Sequence, residues 1–297
     1  WENLTQKRMY ITGGIGPTHH NEGFTFDYDL PNETAYAETC ASIALANWAH
    51  RMFHMEPNSE YIDVLERTIY NGIISGLNLN GDRFFYSNRL AALPKEIEAN
   101  PHGFSLQRQP WFDVACCPTN IVRFLPSIPG FIYSKNNTGV SINLYIQSSV
   151  VINFKNAEVK INQKNTQPWD DKCTIDIDNG NEKEIKLYLR IPHWSKKIKV
   201  KINNKLQKVS ISKGYASLSI PASKKSKLEV DLGMDINIIK SNPDVRQNFG
   251  KLAIQRGPIV YCMEEHDNGP DLHKILINKK SLEPKNGLLN NYKYTFI

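Results

Sequence analysis

The first part of the chain carries apolar residues at intervals of three and four, which is the spacing of an amphipathic helix. The pattern predicts one helix over residues 39–55, ended by Glu56 and Pro57, and a second over residues 59 to about 77. A third, shorter helix is predicted from residue 119 to about 127. Because the loop between the first two is short, we expect them to form an antiparallel helical hairpin.

After Gly130 the apolar period changes from nearly four to two, which is the spacing of strands with one buried face. Alternating runs of this kind cover residues 140–146, 159–161, 173–177, 185–191, 198–202, 216–220, 228–232 and 251–261. Short strands at such spacing favour an antiparallel β-sandwich or jelly roll. The expected fold class is therefore α + β and multidomain, with a helical domain over residues 1–131 and one or more β-sandwich domains over residues 132–297. The final residues, 294–297, also have a strand pattern, so we expect the second part to be truncated at its C-terminus.

Charge divides the chain in the same way. The net charge is +6, but residues 1–130 hold 9 Lys and Arg against 14 Asp and Glu, whereas the remainder holds 27 against 16. Many of the lysines in the second part alternate with other residues, as expected for solvated strand faces. No reading helix or aromatic platform accompanies them, so we expect no nucleic-acid partner. No stretch approaches the roughly 20 apolar residues of a membrane span, so we expect no membrane partner either.

The residue types that could carry chemistry are concentrated in the helical part. Cys116 and Cys117 stand side by side before Pro118, and Glu38 and Cys40 stand where the first predicted helix begins. Two buried thiols acting as small apolar side chains would explain the cysteine pair alone. Three thiolates and one carboxylate would also complete a tetrahedral zinc site. The spacing differs from that of paired Cys-x-x-Cys knuckles, which favours a functional metal over a structural zinc ribbon.

A glycine-rich segment over residues 13–24 contains Glu22. It lacks the strand and the Gly-Lys-Ser/Thr sequence of a phosphate-binding loop, so we do not expect it to bind a nucleotide. Two readings of Glu22 remain: a solvated surface acid, or a carboxylate on the wall of a site.

Five runs of the sequence resemble the β-L-arabinofuranosidases of glycoside hydrolase family 127, and they occur in the family's order: YITGGIG, FDYDLPNETAYAETCASIA, WFDVACCPTN, LRIPHWS and QRGPIVYCMEE. The resemblance implies the C-terminal part of an (α/α)6 barrel of the six-hairpin glycosidase type, followed by β-sandwich domains. Only three or four of the roughly twelve barrel helices have a counterpart here.

The resemblance also implies roles for individual residues. The zinc ligands of the family fall on Glu38, Cys40, Cys116 and Cys117. Cys116 would also be the nucleophile, and Glu22 would be the general acid and base. Tyr86 and His19 would bind the sugar.

The function implied by the resemblance is that of a zinc-dependent retaining glycoside hydrolase. It would release L-arabinofuranose from β-L-arabinofuranosides of plant glycans, so its partner would be an arabinose-containing carbohydrate. One alternative is a catalytically inactive carbohydrate-binding or structural fragment with a purely structural zinc. A lyase or epimerase on a similar helical toroid would explain the helices and strands but not the cysteines. The sequence leaves the oligomeric state open, and also the compartment, whether periplasm or cytoplasm.

Overall fold

The computed structural model describes residues 1–93, 105–155, 157–278, 280, 282–289 and 292–296. Within them lie the α-helices α1 (Thr39–Met55), α2 (Ser59–Thr68), α3 (Cys116–Phe124), α4 (Pro129–Ile132) and α5 (Glu265–Asn268). Shorter segments of wider or tighter helical turns lie at Leu4–Arg8, His20–Glu22, Ile69–Ile73, Ile74–Gly76, Leu125–Ser127, Arg246–Asn248 and Leu272–Lys274. None of the described helices is long and apolar enough to cross a membrane.

The helical hairpin forms the core of the first part of the chain. α1 has the bounds predicted from its apolar spacing, and α2 begins after Asn58, whose side chain accepts a hydrogen bond from the Glu60 N–H (3.2 Å). Apolar side chains from both helices meet in one buried cluster, which includes Ile43, Ala46, Ala49, Phe53, Tyr61, Ile62 and Leu65. The same cluster receives side chains from α3 and α4, so these helices pack on the hairpin.

The second helix is shorter than predicted. α2 ends at Thr68, and the chain continues through the wide turn Ile69–Ile73 and the tight turn Ile74–Gly76. In the wide turn, the Asn71 side chain donates a hydrogen bond to the Pro258 carbonyl (2.8 Å) and accepts one from the Val260 N–H (2.8 Å). The irregular turns thus coincide with contacts to a distant part of the chain, which local apolar spacing does not report.

The third helix begins earlier than predicted. α3 starts at Cys116, three residues before the expected start, and ends in the tight turn Leu125–Ser127. Pro118 lies in its first turn, where no backbone N–H is needed for the helical ladder. The adjacent cysteines therefore belong to the helix and not to the preceding loop.

Sixteen described strands form four sheets. The strands are β1 (Tyr133–Lys135), β2 (Gly139–Ile142), β3 (Ser148–Phe154), β4 (Ala157–Asn165), β5 (Lys172–Asn179), β6 (Ile185–Arg190), β7 (Lys199–Ile202), β8 (Lys205–Leu206), β9 (Ser210–Ser212), β10 (Tyr215–Ile220), β11 (Lys224–Asp231), β12 (Ile236–Ile239), β13 (Ala253–Arg256), β14 (Ile259–Tyr261), β15 (Lys285–Leu289) and β16 (Tyr292–Phe296). One sheet has the order β1-β2-β6-β10-β9, and a second has the order β3-β4-β5-β11-β7-β8. The strands β12-β13-β14 and the pair β15-β16 form two smaller sheets.

Apolar side chains from the two larger sheets meet in one buried cluster. Strand β5 shows why: its residues alternate, so that Cys173, Ile175 and Ile177 are buried while the residues between them are partly exposed. The opposing sheet contributes Leu187 and Leu189 from β6 to the same cluster. The α + β class is therefore confirmed, with α1–α4 before the two larger sheets and the short α5 after them.

Two details of the strands correct the sequence expectation. The pair β2–β6 is parallel, whereas all other described pairs are antiparallel. Gly139 makes this approach possible, since a Cβ there would lie 1.8 Å from the Lys186 carbonyl oxygen. The run at residues 251–261 is a hairpin of β13 and β14, because Gly257 turns the chain with a φ of +57°.

A buried arginine joins the helices to the strands. Arg190, at the end of β6, is fully buried and pairs with two carboxylates of α2, Asp63 (2.5 Å) and Glu66. The Trp194 indole N–H donates to the second oxygen of Glu66 (3.0 Å). Burial alone would raise the pKa of Asp63, but the hydrogen bond from His193 and the Arg190 charge hold it below its ordinary value. We call Arg190, Asp63 and Glu66 the buried ion-pair network.

Removing the arginine should leave two carboxylates without their counter-charge inside the protein. We expect Arg190→Ala to lower the free energy of unfolding by about 3–5 kcal/mol. Lys186→Ala, on the exposed face of the same strand, is the control and should change it by less than about 0.5 kcal/mol. Urea unfolding followed by circular dichroism gives both values, and equal effects would contradict a special role for the network.

Candidate metal and active site

Two of the four predicted ligands lie at the start of α1. Glu38 is the extended, buried residue just before the helix, and Cys40 lies in its first turn. A crossing segment holds this end in place: the Thr39 N–H donates to the Tyr86 carbonyl (3.0 Å), and Glu38 forms an antiparallel bridge with Ser87.

The other two predicted ligands open α3. This helix packs against α1, so its first residues face the start of α1. Cys117 is fully buried, whereas Cys116 is only half-buried. The two neighbouring thiols therefore differ in their access to solvent.

The structure brings all four predicted ligands together. The three sulfurs and the Glu38 carboxylate oxygen lie within 4.8 Å of one another. The Cys117 sulfur is 3.6 Å from that of Cys40 and 3.8 Å from that of Cys116. Oε1 of Glu38 lies 3.4 Å from the Cys116 sulfur and 3.5 Å from the Cys117 sulfur. We call Glu38, Cys40, Cys116 and Cys117 the ligand cluster.

These separations fit a metal ion better than a disulfide bond. A disulfide requires a sulfur–sulfur distance of about 2.05 Å, and all five cysteines are free. Around a tetrahedral metal with metal–sulfur bonds of about 2.3 Å, neighbouring sulfurs would be about 3.8 Å apart. The two sulfur–sulfur distances from Cys117, 3.6 and 3.8 Å, agree with that value. The ligand cluster could therefore hold a metal ion.

The electrostatics of the cluster lead to the same inference. A hydrogen bond from Cys117 lowers the pKa of Cys40 to about 7. The pKa of Cys117 is raised by its hydrogen bond to Cys40 and by burial. Burial also raises the pKa of the Cys116 thiol. Three thiolates beside a carboxylate would repel one another, so without a cation they cannot all be ionised. A bound cation would remove this conflict by stabilising every thiolate.

Tyr86 borders the ligand cluster at Cys116. Its hydroxyl lies 2.9 Å from the half-buried Cys116 sulfur, and its ring packs edge-on against Phe112. Burial raises the pKa of Tyr86 well above its ordinary value, so the hydroxyl stays neutral and available for hydrogen bonding. The predicted sugar-binding tyrosine thus contacts the predicted nucleophile.

Glu22 lies in the glycine-rich segment, in the short helical turn His20–Glu22. Its side chain is exposed, and its backbone has a positive φ of 48°. Its Oε1 accepts a hydrogen bond from the hydroxyl of Tyr36 (3.1 Å). His19 is exposed on the same turn, and its carbonyl accepts a hydrogen bond from the Glu22 N–H (3.1 Å).

The glycines of this segment serve close packing. A Cβ at Gly13 would lie 2.4 Å from the Thr68 hydroxyl at the end of α2, and one at Gly14 would lie 3.1 Å from the Cβ of Ala37. The segment is thereby pressed against the helical hairpin and against the residues that precede Glu38. This supports the site-wall reading of the segment, which the sequence left open.

Tyr36 is a site residue that the sequence reasoning missed. It lies two residues before Glu38, is 7% exposed, and joins Glu22 to the buried side of the site. Burial raises the pKa of Tyr36 well above its ordinary value, while a hydrogen bond with Tyr86 opposes that rise. The available signal was its place two residues before Glu38 in the run FDYDLPNETAYAETCASIA, but a tyrosine in an aromatic-rich region has no distinctive spacing.

The residue between Tyr36 and Glu38 has a strained backbone. Ala37 has a φ of +38°, a conformation that is costly for a residue with a Cβ. Its N–H donates to the Gly16 carbonyl (2.9 Å), and its carbonyl accepts from the Asn88 N–H (3.2 Å). The segments around Gly16 and Asn88 thus hold the bend at Ala37. Tyr36 lies on one side of this bend, and the metal-ligand candidate Glu38 lies on the other.

Family comparisons agree with this geometry. The profile of the β-L-arabinofuranosidase GH127 catalytic domain matches residues 1–130, that of the GH127 middle domain matches residues 139–234, and that of the glycoside hydrolase family 127 C-terminal domain matches residues 236–297. The chain belongs to glycoside hydrolase family 127. A non-reducing end β-L-arabinofuranosidase of Bifidobacterium longum subsp. longum is 36% identical over 278 residues, which cover 92% of this chain and 42% of that protein.

Solved structures of the family have the same fold. A GH127 β-L-arabinofuranosidase from Geobacillus stearothermophilus T6 superimposes with a TM-score of 0.95 at 41% identity, covering 99% of this chain and 47% of that one. The GH127 β-arabinofuranosidase BT3674 superimposes with a TM-score of 0.88 at 35% identity, covering 99% and 48%. This chain therefore spans slightly less than half the length of these relatives.

The ligand cluster predicts one bound metal ion per chain. Cys117→Ser should lower the metal content to near zero, because it removes the most buried sulfur. Cys262→Ser, which changes an exposed cysteine, is the control and should retain the ion. Elemental analysis of protein purified without chelator measures both. A metal content near zero in the unmodified protein, or full retention in Cys117→Ser, would refute the site.

Proposed function

We propose that this chain is part of a zinc-dependent retaining glycoside hydrolase that releases L-arabinofuranose from β-L-arabinofuranosides of plant glycans. The observation that carries the proposal is the ligand cluster, in which a half-buried sulfur lies beside two buried ligands and a tyrosine hydroxyl. Family membership and the β-L-arabinofuranosidase names of the relatives support the reaction and the sugar.

The proposal includes the architecture. The helices over residues 1–131 would be the C-terminal part of an (α/α)6 barrel, and the strands over residues 132–297 would form β-sandwich domains. Two observations support this division: the last described helix of the first part, α4, ends at Ile132, and the two larger sheets share one core. The lengths of the relatives are consistent with further barrel helices outside this chain.

Zinc is the metal that best fits the donors. Thiolate ligands are soft, and a tetrahedral set of sulfur with one carboxylate is typical of zinc. When bound, zinc would keep the cysteine sulfurs as thiolates at neutral pH. Glu38 and Cys117, both buried, are suited to hold it firmly.

Cys116 is the proposed nucleophile. It is half-buried while Cys117 is fully buried, so only the Cys116 side of the cysteine pair is open to a sugar. In the first step its sulfur attacks the anomeric carbon, forming a carbon–sulfur bond as the bond to the leaving oxygen breaks. Tyr86 contacts the same sulfur, and we propose that Tyr86 and His19 bind the sugar during this step.

Glu22 is the proposed general acid and base. In the first step its carboxyl group gives a proton to the leaving oxygen. In the second step the carboxylate takes a proton from water, whose oxygen bonds to the anomeric carbon as the carbon–sulfur bond breaks. The Tyr36 hydrogen bond supports this role, because it ties an exposed carboxylate to the site.

A catalytically inactive fragment with a purely structural metal is the second candidate. It is favoured by one observation: the ligand cluster lies where α1, α3 and the segment around Tyr86 meet, so a metal would fasten these elements whether or not a reaction occurs. Under this alternative the metal stabilises the fold, but the Cys116 sulfur forms no bond to a sugar.

Covalent labelling separates the two candidates. A haloacetamide analogue of L-arabinofuranose should attach to Cys116 in the full-length protein, because its sulfur is both ionised and accessible. Excess free L-arabinose should protect Cys116 but not Cys262, an exposed thiol that serves as the internal control. Peptide mass mapping reads both sites. An adduct on Cys40 or Cys117, or equal labelling with and without the sugar, would refute the proposed nucleophile.

A leaving-group comparison tests the acid. In the full-length protein, Glu22→Gln should lower the rate with natural glycosides by about 10²- to 10⁴-fold, because their alkoxide leaving groups need a proton. With an aryl arabinofuranoside, which has a good leaving group, the variant should retain much of the rate of the first step. Glu2→Gln, which changes another exposed acid, should leave both rates near wild type. If Glu22→Gln lowers both rates equally, Glu22 is not the acid.

A further inference from the structure

Four side chains form a line through the site. Glu22 Oε1 accepts from the Tyr36 hydroxyl (3.1 Å), and the Tyr86 hydroxyl lies 2.9 Å from the Cys116 sulfur. Between them, the rings of Tyr36 and Tyr86 are neighbours, with their centroids 6.1 Å apart. The line connects the proposed acid to the proposed nucleophile.

The two ends of this line are held very differently. Cys116 is part of α3 and of the ligand cluster, so its position is fixed by packing. Glu22 is exposed, and both it and Asn21 have positive φ values, 48° and 54°, in a loop of the chain. A carboxylate in such a loop needs a contact that fixes its orientation.

Tyr36 is built to provide that contact. Its ring belongs to the buried cluster of the helical hairpin and is 7% exposed. Its backbone is followed by the strained residue Ala37, which is held by a hydrogen bond from its own N–H to the Gly16 carbonyl and by one from the Asn88 N–H to its carbonyl. The hydroxyl is therefore presented to Glu22 from a rigid base.

We propose that Tyr36 is a positioning residue for the acid and base Glu22. By donating to Oε1, its hydroxyl fixes the carboxylate so that Oε2 is the oxygen that exchanges the proton with the leaving group and with water. This inference rests on the proposed function, since it assigns Tyr36 to the same reaction. It differs from a sugar-binding role, because Tyr36 acts through Glu22 and not through the sugar.

Tyr36→Phe in the full-length protein is the direct test, because it removes one oxygen and keeps the buried ring. We expect the rate with natural glycosides to fall by about 10- to 100-fold, the usual effect of a misplaced catalytic group. The rate with an activated aryl arabinofuranoside should fall much less. Metal content and the rate at which the haloacetamide analogue labels Cys116 should both stay at wild-type values, because neither requires the acid.

The control is Tyr10→Phe. The Tyr10 hydroxyl donates to the Pro31 carbonyl (3.0 Å), and its ring is 3% exposed, so this variant also removes one hydrogen bond of a buried tyrosine in the same part of the chain. Its acceptor is a backbone carbonyl away from Glu22. We expect the ratio of the two substrate rates to remain that of the wild type.

A double variant shows whether Tyr36 acts through Glu22. With natural glycosides, Tyr36→Phe combined with Glu22→Gln should be no slower than Glu22→Gln alone, because a positioning residue has no effect once the acid is gone. The inference would be overturned if the rate losses of the two single variants multiplied in the double variant. It would also be overturned if Tyr36→Phe lowered the rates with both substrates equally. Failure of the proposed function would give a different result, because Glu22→Gln alone would then lower the rates with natural and activated glycosides equally.

Discussion

The buried charge of Arg190 constrains the rest of the structure. A guanidinium without solvent requires partners, and the two carboxylates that satisfy it both lie on α2. The end of β6 and the middle of α2 must therefore meet, whatever else the chain does. The opposite face of α2 packs on α1, whose first turn carries Cys40 and is preceded by Glu38. The sheet thus supports, through α2, the helix on which half of the ligand cluster is built.

The ligand cluster itself is assembled from segments that are far apart in the sequence. The start of α1 supplies two donors, the start of α3 supplies two, and the segment around Tyr86 holds the start of α1 through backbone hydrogen bonds. None of these segments can place four donors alone. Because burial disfavours ionised thiols while a metal requires them, binding of a cation would depend on how these segments pack. This makes the site sensitive to the fold around it.

The sequence predicted those features that depend on local pattern or on donor chemistry. The bounds of α1 follow from apolar spacing, and residue type together with family resemblance predicts the ligand candidates Glu38, Cys40, Cys116 and Cys117. Features that depend on distant contacts were not predicted. The turns after Thr68 coincide with the bonds of Asn71 to residues near β14, and the parallel pairing of β2 with β6 depends on the approach of another strand to Gly139. Tyr36 was not predicted for the same reason, since its proposed role is defined by Glu22, whose carboxylate its hydroxyl contacts.

The proposed chemistry places opposite demands on one sulfur. A bound metal would keep Cys116 as a thiolate, but a bond to the metal would also occupy the electrons with which a thiolate attacks. The residues of the ligand cluster differ in burial. Cys117 and Glu38 are buried on the side of the packed helices, while Cys116 is half-buried beside the Tyr86 hydroxyl. The buried residues Glu38 and Cys117 would hold a bound metal, and the half-buried Cys116 sulfur would be the one that reacts with a sugar. A cysteine pair with unequal burial therefore suits this chemistry better than two equivalent thiols, and helix packing at the first turn of α3 is what makes the two cysteines unequal.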